Sequence, residues 1–271
     1  MISVLGASGF IGTNLCRRLR ELGLEHYAPE RNEVLRGREL GDVIYCIGLT
    51  ADFRSRPLDT VDAHVCHLAS ILRDCILDSI LYLSTTRLYG CRSGVAREED
   101  EIFTRPSEAD DLYNVSKAMG ESVVLSCGKR GRVARISNVY GGDFDSDNFL
   151  SSVIRDALAK GAVTIRTSPD SAKDYIGIDE VVDALIAIST RGQRRIYNVA
   201  SGTNVTNRTL MDCLSGLTNC AIDFQPGAPE FRFPAIDISR LREEFDYHPR
   251  SVLDEFRDLL GKYKGNLTKT G

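Results

Sequence analysis

Tyr113 and Lys117 stand four residues apart in Tyr113-Asn114-Val115-Ser116-Lys117. That is one helical turn, so both side chains share a face. A phenol titrates near 10 and is a poor acid or base at neutral pH. An adjacent ammonium favours the phenolate and brings the group toward a working range. In the plain alternative the pair is a surface contact, and ten tyrosines make a chance Y-x-x-x-K easy. A second feature gives it weight. Ser84-Thr85-Thr86-Arg87 follows the apolar run "ILYL", so Thr85 and Thr86 put two hydroxyls at the end of a buried strand, 28 residues before Tyr113. Arg87 adds a permanent cation there, where a general base is impossible.

A third feature lies at the start of the chain, Gly6-Ala7-Ser8-Gly9-Phe10-Ile11-Gly12. This G-x-x-G-x-x-G opens a helix straight after the first strand. Glycines there permit a tight turn and close backbone approach to a pyrophosphate, while the helix N-terminus offers free N–H groups. The plain alternative is an ordinary strand-helix turn; its position favours a dinucleotide. Glu30, 18 residues after Gly12, suits the adenosine ribose hydroxyls and favours NAD(H). Arg31 beside it would accommodate the 2′-phosphate of NADP(H) instead.

These residues need a scaffold, and the hydropathy pattern supplies one. Apolar runs at 2–5, 42–48, 79–85 and 132–137, with a second strand ending near Glu30, alternate with helical patterns at 11–22, about 59–77 and 112–128. Such alternation predicts an α/β fold, a Rossmann-type doubly wound parallel sheet with ligands at the carboxyl ends of the strands. Beyond residue 140 the rhythm changes. "NFLSSVIRDALAKG" reads as a helix outside the alternation, and "DYIGIDEVVDALIAIST" as a strand and helix returning to the main sheet. The loop-rich last third reads as a small, discontinuous C-terminal substrate-binding cap. Residues 1–140 with about 174–199 then form the dinucleotide-binding domain, and about 141–173 with 200–271 the cap. The tail "GKYKGNLTKTG" reads as frayed.

Composition sets limits on function. A chain of 271 residues with 42% apolar and 27% charged residues is an ordinary globule, and a net charge of −4 argues against nucleic acid or an anionic membrane as partner. Eight scattered cysteines with no C-x-x-C pair point to reduced thiols, a cytoplasmic setting and no metal. No signal peptide or membrane span is apparent.

Together the three motifs resemble the extended short-chain dehydrogenase/reductase superfamily, in its nucleotide-sugar epimerase/dehydratase/reductase branch. The likeness continues through "RISNVYGG" (135–142), "KDYIGIDEVVDAL" (173–185), "IYNVASG" (196–202) and "DISRLREEFDYHPRSVLDEF" (237–256). It implies that Tyr113 is the acid/base at a sugar oxygen, that Thr85 holds the same oxygen, and that Lys117 lowers the Tyr113 pKa and holds the nicotinamide ribose. It implies a cofactor channel lined by Cys46, Ile47, Gly48 and Ile136, and substrate contacts from Thr86, Arg87, Asn138, Asn148, Lys173, Tyr175 and Arg232. Lys173 and Arg232 are the cations for a diphosphate. A homodimer, paired through the two helices flanking the sheet, follows from the resemblance alone.

The sequence departs from that pattern in places. Lys173 replaces an arginine, exchanging a bidentate fork for a point charge. Gly142 replaces a proline. His64 stands where the branch commonly has asparagine, and reads as a packing substitution. The 4,6-dehydratases carry an Asp-Glu pair where this chain has Thr86-Arg87, and elimination of water needs that acid and base. The expected activity is therefore NAD(P)H-dependent reduction of a nucleotide-diphosphate 4-keto-6-deoxy sugar, hexose or heptose. A 4-epimerase with tightly held NAD stands as the alternative, and a non-catalytic NAD-binding protein stands further off.

Overall fold

A computed structural model describes residues 1–50 and 52–270. The first half runs β1 (Ile2–Leu5), α1 (Phe10–Glu21), β2 (His26–Tyr27) and β3 (Glu39–Tyr45). A continuous helical run follows, made of α2 (Pro57–Val61), a π turn (Asp62–Cys66) and α3 (His67–Asp74). Then come β4 (Ile76–Thr85), a 3-10 turn (Thr86–Tyr89), β5 (Val95–Ala96), α4 (Leu112–Ser126) and β6 (Gly131–Ile136). The second half runs β7 (Asn138–Tyr140), α5 (Phe149–Lys160), β8 (Ala162–Ile165), β9 (Ala172–Gly177), α6 (Ile178–Arg191) and β10 (Ile196–Val199). It closes with β11 (Asn204–Thr206), α7 (Asn207–Thr218), β12 (Ala221–Phe224), β13 (Ala235–Ile236), α8 (Ser239–Phe245) and α9 (Val252–Thr270).

Six strands form one parallel sheet in the order β10-β6-β4-β3-β1-β2. Helices cover both faces. Leu15 and Leu19 of α1 pack with Val181, Leu185 and Ile188 of α6 on one side. Leu68 and Ile71 of α3 and Val124 of α4 pack with Tyr45 and Tyr82 on the other. With both faces covered, the central strands are apolar along their length, and the last seven residues of β4, Ser79 to Thr85, are all buried. The chain leaves β1 toward β2 on one side and crosses to β3 on the other. That reversal opens a crevice above the ends of β1 and β3, where open α/β sheets take ligands.

A further hydrophobic core lies beyond the main sheet, where α5, α7 and α9 enclose Val163, Ile165, Tyr175 and Val205. Among the described residues no helix is long and apolar enough to cross a membrane.

Three expectations need correction. The second strand stops at Tyr27 rather than near Glu30, because Pro29 has no N–H for the edge ladder. β9 does not return to the main sheet; it pairs with β7 and β11 in a three-stranded sheet of its own. The tail is helical through Thr270, with Gly271 outside the described residues. Its helix is held by Phe256, Leu259, Leu260 and Tyr263, an i, i+3, i+4, i+7 stripe buried against the second core. Each such side chain contributes about 1.5–3 kcal/mol when fully buried.

Candidate active site

The glycine turn has the shape its sequence requires. Gly6 has φ +87°, and a Cβ there would come within 2.9 Å of the Ile47 nitrogen. At Gly12 a Cβ would fall 2.2 Å from the Gly6 carbonyl oxygen, so the turn closes only on glycine. Gly9 differs: a Cβ there meets nothing closer than that oxygen at 3.5 Å. Gly9 is also the N-cap of α1 and lacks a side chain to cap the helix amides. Ser8 and Gly9 are exposed at this opening, with Phe10 and Ile11 beginning the helix. The turn is a cradle for a pyrophosphate, and a dinucleotide fits it. At the far end, Glu30 and Arg31 lie exposed in the loop past β2.

Beside the cradle, Cys46, Ile47 and Gly48 continue from β3 as a loop rather than as strand. The Cys46 N–H donates to the Leu5 carbonyl at 2.8 Å. Burial pushes the Cys46 thiol up to about 12, so it is a neutral liner. Gly48 crosses the floor of the site, where a Cβ would stand 3.3 Å from both Lys117 Nζ and His64 Nε2. Lys117 Nζ donates to the Leu83 carbonyl at 2.8 Å and lies 4.9 Å from the Tyr82 ring centroid. Burial lowers its pKa to about 7, against the opposing charge of Glu121.

His64 is fully buried in the π turn. The Leu49 N–H donates to its Nε2 at 3.2 Å, which places the ring proton on Nδ1, 2.8 Å from Ser116 Oγ. Ser116 Oγ in turn donates to the Tyr113 carbonyl at 3.0 Å. The imidazole thus ties the cofactor-side loop to the helix turn that carries Tyr113. Desolvation, aided by Lys117, drives its pKa down to about 2, so it stays neutral.

Tyr113 is buried at the start of α4. The hydroxyls of Thr85 and Thr50 stand beside its phenol and act to lower its pKa. Phe53 packs on it at 5.5 Å between centroids, and His64 meets it edge-on at 5.5 Å. The Arg87 guanidinium lies 5.1 Å from the Tyr113 centroid. Burial raises the phenol's pKa; Arg87 is the charge that opposes the rise, and the two threonine hydroxyls assist. Thr85 Oγ1 also accepts the Arg87 N–H at 3.2 Å, so threonine and arginine share one rigid turn. Thr85 pairs with Ile136, which brings two strand ends flush beneath the site.

Outside the main sheet, Lys173 of β9 is half-buried, 5.7 Å from the Phe149 centroid. Burial and the neighbouring Arg87 lower its pKa. Asn148 stands at the N-cap position of α5, beside Phe149, with no side-chain hydrogen bond to the helix amides. The Asn138 side chain donates to the Asp174 carbonyl at 2.8 Å, and Thr86 is buried in the 3-10 turn.

The profile of the NAD dependent epimerase/dehydratase family matches residues 2–200. The chain belongs to that family. Along nearly its full length the family member is 25% identical to the dTDP-4-dehydro-6-deoxy-D-allose reductase of Streptomyces bikiniensis, covering 93% of this chain and 92% of the relative. In structure it resembles MoeE5 in complex with UDP-glucose and NAD, with a TM-score of 0.80, 20% identity and coverage of 98% and 99%. It also resembles RMD from Pseudomonas aeruginosa complexed with NADPH, with a TM-score of 0.79, 20% identity and coverage of 97% and 99%.

Among this epimerase/dehydratase family member's expected site residues, the fold gathers Thr85, Thr86, Arg87, Tyr113 and Lys117 around one cleft. Two expected substrate residues lie outside this group. Tyr175 lies in the second core with its hydroxyl buried and unpartnered, because β9 turns it toward α5 and α9. Arg232 is exposed and ion-paired with Glu230; what it brings to Lys173 is backbone, through a bridge to Ala172. The Arg87 guanidinium lies over the Tyr113 ring, while Lys117 Nζ is held by the Leu83 carbonyl. Thr50 and Phe53 are contributors that sequence reasoning missed. They lie in a loop without periodicity, and only its folding over α4 reveals them.

Proposed function

We propose that this protein reduces the keto group of a nucleotide-diphosphate 4-keto-6-deoxy sugar, hexose or heptose, using NAD(P)H. The observation that carries the reading is the company Tyr113 keeps: two threonine hydroxyls and a guanidinium, with no carboxylate among the groups that act on it. Such a site can hold and protonate one oxygen. It offers no acid and base pair for dehydration.

When bound, the dinucleotide supplies the hydride. The glycine turn receives its pyrophosphate, Glu30 the adenosine ribose and Lys117 the nicotinamide ribose, and the acid at Glu30 favours NAD(H) over NADP(H). Thr85 and Tyr113 grip the keto oxygen, and Tyr113 gives it a proton as the hydride arrives at carbon. Lys173 meets the diphosphate, with Asn138 at the sugar-phosphate edge. In this reading the protein works in the cytoplasm as a homodimer.

The relative that reduces a dTDP-4-dehydro-6-deoxy sugar supports the substrate class. The test is oxidation of NADH and of NADPH against a panel of nucleotide-diphosphate 4-keto-6-deoxy sugars. Stoichiometric oxidation with at least one of them is expected. Redox-neutral turnover by protein that keeps NAD through purification would instead establish an epimerase.

A further inference from the structure

We propose that this protein holds its dinucleotide by the pyrophosphate, the riboses and the nicotinamide, and leaves the adenine base open to solvent at the edge of the main sheet. The inference rests on the glycine turn as a dinucleotide site and is independent of which sugar is reduced.

The sheet order carries it. Doubly wound dinucleotide folds classically place a third strand outside the second. Here β2 is the outermost strand on that side, and it consists of His26 and Tyr27 alone. It pairs with β1 only through Ile2 with His26 and Ser3 with Tyr27. From Tyr27 the chain passes straight to β3 at Glu39, and residues 28–38 contain neither strand nor helix. Among the described residues no strand lies outside β2.

The path of the cofactor follows from two fixed points. The pyrophosphate belongs at Gly9, where α1 begins, and the nicotinamide ribose at Lys117 of α4, which packs over β4 and β6. The adenosine then runs the other way, from the end of β1 across the end of β2. On its inner side stands Ile47, whose nitrogen would lie 2.9 Å from a Cβ at Gly6. On its outer side the exposed Glu30 and Arg31 follow the strand.

Residues 28–38 do not fold up as a cover, because they are fastened below the base. The Tyr27 hydroxyl donates to Glu33 Oε1 at 2.6 Å, the Glu30 N–H donates to Glu33 Oε2 at 3.3 Å, and Arg38 pairs with Glu33 at 2.9 Å. Leu35 packs with Tyr27 into the core beneath α3 and α4, and its carbonyl accepts the Cys75 thiol at 3.2 Å. The Gly37 N–H donates to the Asp74 carbonyl at 2.7 Å. Asp74 and Cys75 stand just before β4, at the amino end of the sheet and opposite the end that takes the cofactor. Glu33 thus serves the loop rather than the cofactor, and Val34 beside it is 77% exposed.

A site that hydrogen-bonds a ligand group rejects an analogue lacking it by about 10⁴–10⁵-fold, and an open edge does not. A cofactor held in this way also exchanges between turnovers, as a stoichiometric reductant must.

The test is binding, not turnover. NADH fluorescence titration, with competition by NAD, by nicotinamide hypoxanthine dinucleotide and by etheno-NAD, gives the affinity of each. Both analogues alter the amino edge of the base, and each should bind within about tenfold of NAD. Acrylamide quenching of the ethenoadenine fluorescence should stay nearer to the free value than to zero once the analogue is bound. A loss of tenfold or more with either analogue, or quenching nearer to zero, would overturn the proposal and place the base in an enclosed pocket. Protein that binds none of these dinucleotides would overturn the glycine-turn reading itself and this inference with it.

Discussion

Burial raises the phenol of Tyr113 above its ordinary range, and Arg87 and two threonine hydroxyls counter the rise. Tyr113→Phe removes that oxygen but keeps the ring against Phe53 and His64. Turnover should fall by about 10²–10⁴-fold, with dinucleotide affinity by fluorescence titration unchanged. Full activity would remove Tyr113 from the mechanism. His64 makes a second prediction. Its folded pKa is depressed to about 2, so between there and its unfolded value near 6.5 only the unfolded chain takes the proton. Protons then favour unfolding. Stability should decline as pH falls below about 6.5, with His64 contributing up to about 1.4 kcal/mol per pH unit. His64→Asn should flatten that part of the profile in urea unfolding at a series of pH values; an unchanged slope would mean the imidazole is not buried and neutral.

Among the elements, the turn between β1 and α1 separates folding from binding. Gly12→Ala places a Cβ 2.2 Å from the Gly6 carbonyl, which the turn cannot absorb without moving backbone. A loss of about 1–3 kcal/mol is expected by thermal unfolding. Gly9→Ala places its Cβ no closer than 3.5 Å to that oxygen, at the open side of the helix N-terminus. It should fold with nearly native stability yet bind NADH and NADPH at least about tenfold more weakly, a cost of about 1.4 kcal/mol. Equal affinity in that variant would show that no pyrophosphate approaches the turn there. The π turn has a similar local consequence. It interrupts the helical run between α2 and α3 and carries His64 at its middle, where the ring reaches both Leu49 and Ser116.

For the whole molecule, Asp174 joins the main sheet to the three-stranded sheet. Its buried carboxylate accepts from Ser137 Oγ at 2.6 Å, just past β6, and from Ser201 Oγ and the Ser201, Gly202 and Thr203 N–H groups, just past β10. Two strand ends of the main sheet therefore grip β9, and β9 carries Lys173 to the cleft. Asp174→Ala strands several buried donors at once. A loss of about 3–5 kcal/mol in urea unfolding is expected, with a raised KM for the nucleotide sugar as Lys173 loosens. A variant with both values unchanged would show that β9 is held elsewhere.

The glycine turn, the Y-x-x-x-K helix, the Thr85 strand end and the alternation of strands and helices were legible in the sequence. Each is a local matter: a left-handed φ, a spacing of one helical turn, an apolar run as long as a buried strand. The relation of Arg87 to Tyr113 was not legible, since it depends on where a 3-10 turn aims a long side chain across to another helix. Phe53 gave no periodic signal because it is buried from a loop. The place of Tyr175 in the second core was not legible either, since it depends on β9 pairing with β7 instead of the main sheet. Sequence alone determined that a dinucleotide-type turn and the Y-x-x-x-K helix belong to one parallel-sheet fold. Only the tertiary structure decided which cation faces that tyrosine, because burial and charge act through space between segments that the chain keeps far apart.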